Sequence, residues 1–168
     1  MKIIIFFFII LPITLSVNSA IASEDCSFNF KDFHSIIDNK SKKFKSIKPE
    51  TKDEISKTVT QKAKLKSGED VLFIGGGCAH FSYSFNYSNL RIKSKKIQDL
   101  FKKAYDLLVS TEVVKNYTNP LISSLDKALK APIKKSKTEV YDLPCGDAMC
   151  SLDLSSKTSI KINYSFIL

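Results

Sequence analysis

Cys78-Ala79-His80 is the one place in the chain where a thiol and an imidazole stand close in sequence. On an extended strand their side chains leave the backbone on the same side, about 7 Å apart. A free thiolate beside an imidazole is the pattern of a nucleophile and its base, or of two metal ligands. Spacing supplies neither a third ligand nor an acid to orient the ring. The competing reading therefore ties Cys78 into a disulfide and leaves His80 as a polar site that is solvated or hydrogen-bonded. His34 lies on the face of an expected helix, where a lone histidine is no metal centre.

The other chemical signals are weaker. Gly75-Gly76-Gly77 invites comparison with a phosphate cradle, but such a loop opens a helix and here a strand pattern follows, so a bulge or sharp bend is expected. Ser124-Leu125-Asp126-Lys127 matches a serine-lysine nucleophile pattern without its companion motifs, in a chain rich in both residues. No G-x-S-x-G, no H-E-x-x-H and no paired carboxylates of glycosidase type occur. No enzyme activity, metal or other cofactor is expected.

The cysteines point to a compartment. Residues 1–22 have the parts of a secretory signal: Lys2, the apolar run Ile3 to Leu11, and the small residues Ala20 and Ala22 before Ser23. Cleavage after Ala22 would release a periplasmic or secreted domain spanning 23–168, and the apolar run is too short to persist as a membrane span. Cys26, Cys78, Cys145 and Cys150 all survive cleavage, and four cysteines in an oxidising compartment read as two disulfides. Three pairings are open. The expected one joins Cys145 to Cys150 around the turn-like Pro144-Cys145-Gly146-Asp147, and Cys26 to Cys78. The first bridge would staple a loop of Gly146, Asp147, Ala148 and Met149, a candidate binding tip because a crosslinked loop loses less freedom on association.

Charge excludes one class of partner. The formal net charge is +9, from 26 basic against 17 acidic residues, yet Arg91 is the only arginine. Sequence-reading proteins lean on the arginine fork, so no nucleic acid is expected as a partner. The lysines gather at Lys40, Lys42, Lys43, Lys45 and Lys48, at Lys93, Lys95 and Lys96, and at Lys134, Lys135 and Lys137, mostly in expected loops or edges. They read as a solvated surface, or as an attraction to anionic lipid, glycan or an acidic partner.

The elements that must carry these groups follow from periodicity. A helix is expected from Phe28 to about Asp38, then a Lys- and Ser-rich loop up to Pro49. Residues 54–65 fit both a helix and a strand and lean to strand, with Ile55, Val59, Ala63 and Leu65 on one face. Val71-Leu72-Phe73-Ile74 reads as a strand covered on both faces. Phe81, Tyr83, Phe85 and Tyr87 alternate with polar residues, which gives a half-buried antiparallel strand. Ile97, Leu100, Phe101, Ala104, Leu107 and Leu108 form a helical stripe, with Asp99 and Lys103 as an exposed ion pair. A second helix starts at Asn119-Pro120 and ends at Pro132, and three strands follow around Glu139 to Leu143, Cys150 to Leu154 and Ile160 to Leu168. Segregated strands and helices define an α+β fold: an antiparallel β-sheet of about six strands with two to three helices packed on one face, disulfide-stapled.

Three functions are compatible with this reading. The first is an exported non-enzymatic binding protein whose partner is another protein of the cell envelope, such as an inhibitor or immunity-type protein against a toxin or envelope hydrolase. The second is an accessory envelope protein that holds an anionic lipid or glycan surface through its lysines. The third is a thiol or metal enzyme centred on Cys78 and His80.

Overall fold

The computed structural model of the chain describes residue 37 and residues 41–77, 80–94, 96–111, 115–134 and 136–167. Its elements are β1 (Phe44–Ile47), β2 (Thr51–Asp53), β3 (Thr58–Leu65), β4 (Asp70–Gly76), β5 (His80–Ser88), α1 (Ile97–Ser110), α2 (Lys115–Leu129), β6 (Val140–Leu143), β7 (Met149–Asp153) and β8 (Ile160–Ile167). The strands make one antiparallel sheet in the order β1-β3-β4-β5-β8-β7-β6, with β2 also pairing β3. The excursion through α1, α2, β6 and β7 thus returns to seat the last strand in the middle of the sheet, beside β5.

Period-two alternation sorts the two faces. One row across the sheet runs Gln61, Phe73, Phe85, Ile162, Leu152 and Tyr141, each opposite the next in register and all buried. Its outward counterpart runs Thr60, Ile74, Ser84, Asn163, Ser151 and Asp142. The inner face is strongly aromatic: Tyr83 stacks on Tyr164 across β5 and β8 at 4.7 Å between ring centroids, and Phe73 meets Phe85 edge-on at 5.0 Å. Such pairs add to the burial of area that holds the sheet's covered side.

The helices lie against that side. Phe101, Ala104, Leu107 and Leu108 of α1 and Leu121 and Leu125 of α2 belong to the same buried cluster as the inward strand residues. Polar ties to Tyr87 and Glu69 help to fix α1. The Tyr87 hydroxyl lies 2.9 Å from Thr111 Oγ1, which donates to Leu107 O at 2.6 Å, so Tyr87 is the donor to Thr111. Midway along the helix Lys103 Nζ reaches Glu69 Oε1 at 3.0 Å, which joins α1 to the turn between β3 and β4. Among the described residues no helix is long and apolar enough to cross a membrane.

Several expectations are corrected. Among the described residues the sheet has eight strands, against about six expected: β1 and β2 lie where a lysine- and serine-rich loop was expected and just beyond it, because β3 offers a long edge that both can pair with regardless of their polarity. Residues 54–57 form a turn and β3 starts at Thr58, so Ile55 is 96% exposed whereas Val59, Ala63 and Leu65 point inward as expected. Among the described residues β4 is covered on one face only; Val71 and Phe73 are buried, but Ile74 is 39% exposed, since no described element lies over the outer side. Lys103 pairs with Glu69 and not within the helix with Asp99, whose carboxylate accepts from the Ser94 hydroxyl. α2 begins at Lys115, which places Pro120 inside the helix. The helix expected at 28–38 lies outside the described residues except for Ile37, which is buried in an isolated β-bridge with its N–H on Gln61 Oε1 at 3.0 Å.

Candidate functional site

The β6–β7 hairpin carries the feature with the clearest functional form. Its last paired residues are Leu143 and Cys150, and the intervening loop is closed by the Cys145–Cys150 disulfide, with 5.9 Å between the Cα atoms. The chain reverses through Gly146 at φ +70°, and an added Cβ there would meet nothing within 4 Å, so this glycine serves the turn and not a contact. Cys150 is buried and Cys145 packs on the core, which roots the loop, while Gly146, Asp147 and Met149 are exposed and Ala148 half-buried. Met149 is 63% exposed, an apolar thioether presented outward at the start of β7.

The base of the loop is anchored from α2. Buried Ser124 Oγ lies 2.8 Å from Pro120 O, 3.0 Å from Pro144 O and 2.9 Å from Cys145 Sγ. A disulfide sulfur has no proton to give, so the hydroxyl is the donor, and its single proton is shared among three acceptors. Ser124 therefore acts as a rivet between helix and hairpin. Among the described residues the serine-lysine pattern forms no Ser124–Lys127 hydrogen bond: Ser124 Oγ meets Pro120 O, Pro144 O and Cys145 Sγ, and Asp126 pairs with Lys130 at 2.6 Å.

The remaining expected sites divide between the described residues and the rest. His80 opens β5 as an exposed residue opposite Ile167. Cys78, Cys26, His34 and the signal-like residues 1–22 lie outside the described residues, and with them the Cys78–His80 geometry and the Cys26–Cys78 bridge. Among the described residues no group of three His, Cys, Asp or Glu side chains could hold a metal ion. The triple glycine is not the expected bulge: Gly75 and Gly76 end β4 in unbroken register with β3 and β5, and Gly76 has φ +132° with a Cβ there standing 2.2 Å from Lys57 O, so backbone approach and conformation both demand glycine. Lys42, Lys43, Lys45 and Lys48 surround the edge strand β1, and Lys48, Lys62, Lys64, Ser46 and Ser88 line a shallow hollow of about 410 Å³ on the outer face.

A second feature escaped sequence reasoning. β6 is an edge strand, and beside it runs a groove of about 550 Å³ with Phe101, Lys127, Ala128, Ala131, Ile133, Lys134 and Tyr141 in its lining. Only the sheet order makes β6 an edge; its local alternation is that of any half-buried strand.

Fold and hairpin together define a disulfide-stapled antiparallel α+β domain with a rooted, outward-facing loop. Comparison with protein-family models, with curated proteins and with solved structures finds no match.

Proposed function

We propose that the protein is an exported domain that works by binding another protein of the cell envelope, in the manner of an inhibitor or immunity protein directed at a toxin or envelope hydrolase. The observation that carries this reading is the crosslinked tip: Met149 is 63% exposed on a loop whose two ends are joined by a disulfide. A loop that is already ordered gives up little freedom on association, and an exposed thioether adapts its shape to an apolar pocket. Asp147 at the apex adds one charge for register, while the net positive charge of the chain favours an acidic target.

The test is a pull-down from envelope extracts with the disulfide-intact chain. A stoichiometric protein partner that resists moderate salt, and that is lost with Met149→Asp or Asp147→Lys, supports the reading. Recovery of lipid or glycan alone overturns it.

A second reading rests on the hollow formed by Lys48, Lys62 and Lys64 at the β1 side of the sheet. There the protein attaches to an anionic lipid or glycan surface. Lys64 is already paired with Asp70 at 3.4 Å, which weakens the site, and screening by about 0.15 M salt would release such binding.

A further inference from the structure

We propose that the free edge of β6 takes up an extended, acidic segment of a partner protein as an additional strand. This rests on the reading of the chain as a protein-binding domain and names the mode of binding. Leu154 N–H donates to Glu139 O at 2.9 Å, so in this antiparallel pair Glu139, Tyr141 and Leu143 direct their backbone groups at β7. The N–H and C=O groups of Val140 and Asp142 therefore point to the open side, where no described strand pairs with them.

The two edges of the sheet are not equivalent. β1 carries Lys45, is followed by Lys48 and Pro49, and has a register shift between Phe44 and Ser46, the devices that discourage strand addition. β6 has no lysine, no proline and an unbroken register with β7. Beside it lies the groove of about 550 Å³, where Ala128, Ala131, Pro132 and Ile133 offer apolar surface for alternate side chains of an added strand. Its charge selects the occupant. Lys127 and Lys134 line the groove and neither is ion-paired among the described residues, whereas Asp142 is the only acidic residue in the lining. The Cys145–Cys150 tip follows β6 directly, so an added strand and the tip would meet one continuous partner surface.

The probe is a blocked peptide of sequence Glu-Val-Glu-Val-Glu-Val, added to the full disulfide-intact chain. Binding below about 1 mM, with amide exchange slowed about tenfold at Val140 and Asp142, is expected. Asp142→Ala keeps the edge N–H and should bind at least as well as the parent. Asp142→Pro removes that N–H without touching a bond to β7, follows the extended Tyr141, and should bind about tenfold more weakly. Ala131→Glu, at an exposed position of the groove wall, should also lose about tenfold by repulsion and serves if the proline variant does not fold. Equal binding by Asp142→Ala and folded Asp142→Pro, or equal binding of a Lys-Val-Lys-Val-Lys-Val peptide, overturns the proposal. So does a concentration-dependent dimer in which the same two amides are protected, because the edge then belongs to a second copy. If the edge ignores the acidic peptide while Met149→Asp still abolishes partner capture, strand addition fails and the protein-binding reading stands; if capture itself fails, that reading falls first.

Discussion

Tyr87 and Ser124 are the side chains on which the polar wiring of the interior turns. Burial pushes the Tyr87 phenol well above its ordinary value, and a hydrogen bond that Thr111 would turn to donate to the ionised oxygen offsets this only in part. A raised folded-state pKa keeps the proton on the folded protein while the unfolded chain ionises near pH 10. Stability is thus fully present below that pH and falls as pH rises beyond it. Tyr87→Phe should flatten that alkaline loss in urea titrations at stepped pH, at a cost of about 1 kcal/mol at neutral pH for the missing bond. Ser124→Ala should cost about 1 to 2 kcal/mol, because Pro144 O and Cys145 Sγ lose their donor from α2; chemical denaturation measures it. Nothing in the spacing of Ser124 announces this role, since its acceptors at Pro144 and Cys145 arrive from a different element.

At the scale of elements, the disulfide of the hairpin and the ion pair of the first helix are separable contributions. Closing a loop of six residues restricts the unfolded chain by about 2 kcal/mol in the entropic account, so Cys145→Ala with Cys150→Ala should lower the unfolding free energy by roughly that amount. Unchanged stability in a denaturant melt would show that the bridge only shapes the tip. For α1, burial by itself pushes the Glu69 carboxyl up, yet hydrogen bonds from the Ser67 hydroxyl and Lys103 outweigh it and hold the group below its ordinary value. A lowered folded-state pKa means that the unfolded chain takes up protons first. The stabilisation is therefore present above the unfolded value and disappears as pH falls through the folded one. Glu69→Gln should remove this share of the acid-side slope in thermal melts between pH 6 and pH 3, to be compared at about 0.1 M salt. The side-chain hydrogen bond from Ser155 to Asp153 acts in the same direction. The pattern of α1 exposed its buried stripe but not the partner of Lys103, because an i to i+4 neighbour is visible in the sequence and a turn packed from across the sheet is not.

For the molecule as a whole, the unequal burial of the two sheet faces among the described residues sets the response to substitution. Phe85 is fully buried at the centre of the aromatic row, and Phe85→Ala should cost about 3 to 5 kcal/mol. Ile74→Thr, one register step away on β4 but on the outer side, should change stability by less than about 0.5 kcal/mol in the same denaturation assay. The alternation from Phe81 to Tyr87, the stripe of α1 and the strands β6 to β8 were legible because burial of one face imposes a local period that any single element displays. The short bridge was legible too, since two cysteines around a turn have few geometric alternatives. Other features depend on residues distant in the chain. β1 and β2 are strands because β3 offers them hydrogen bonds, Pro120 is tolerated inside α2, and β6 is an edge because β8 enters the sheet between β5 and β7. Which strand is left without a neighbour, and what groove lies beside it, are properties of the assembled sheet. Local patterning carries the sorting of side chains between core and water, because that choice is made residue by residue. Tertiary structure alone decides adjacency, because hydrogen-bonded neighbours are chosen among segments far apart in sequence.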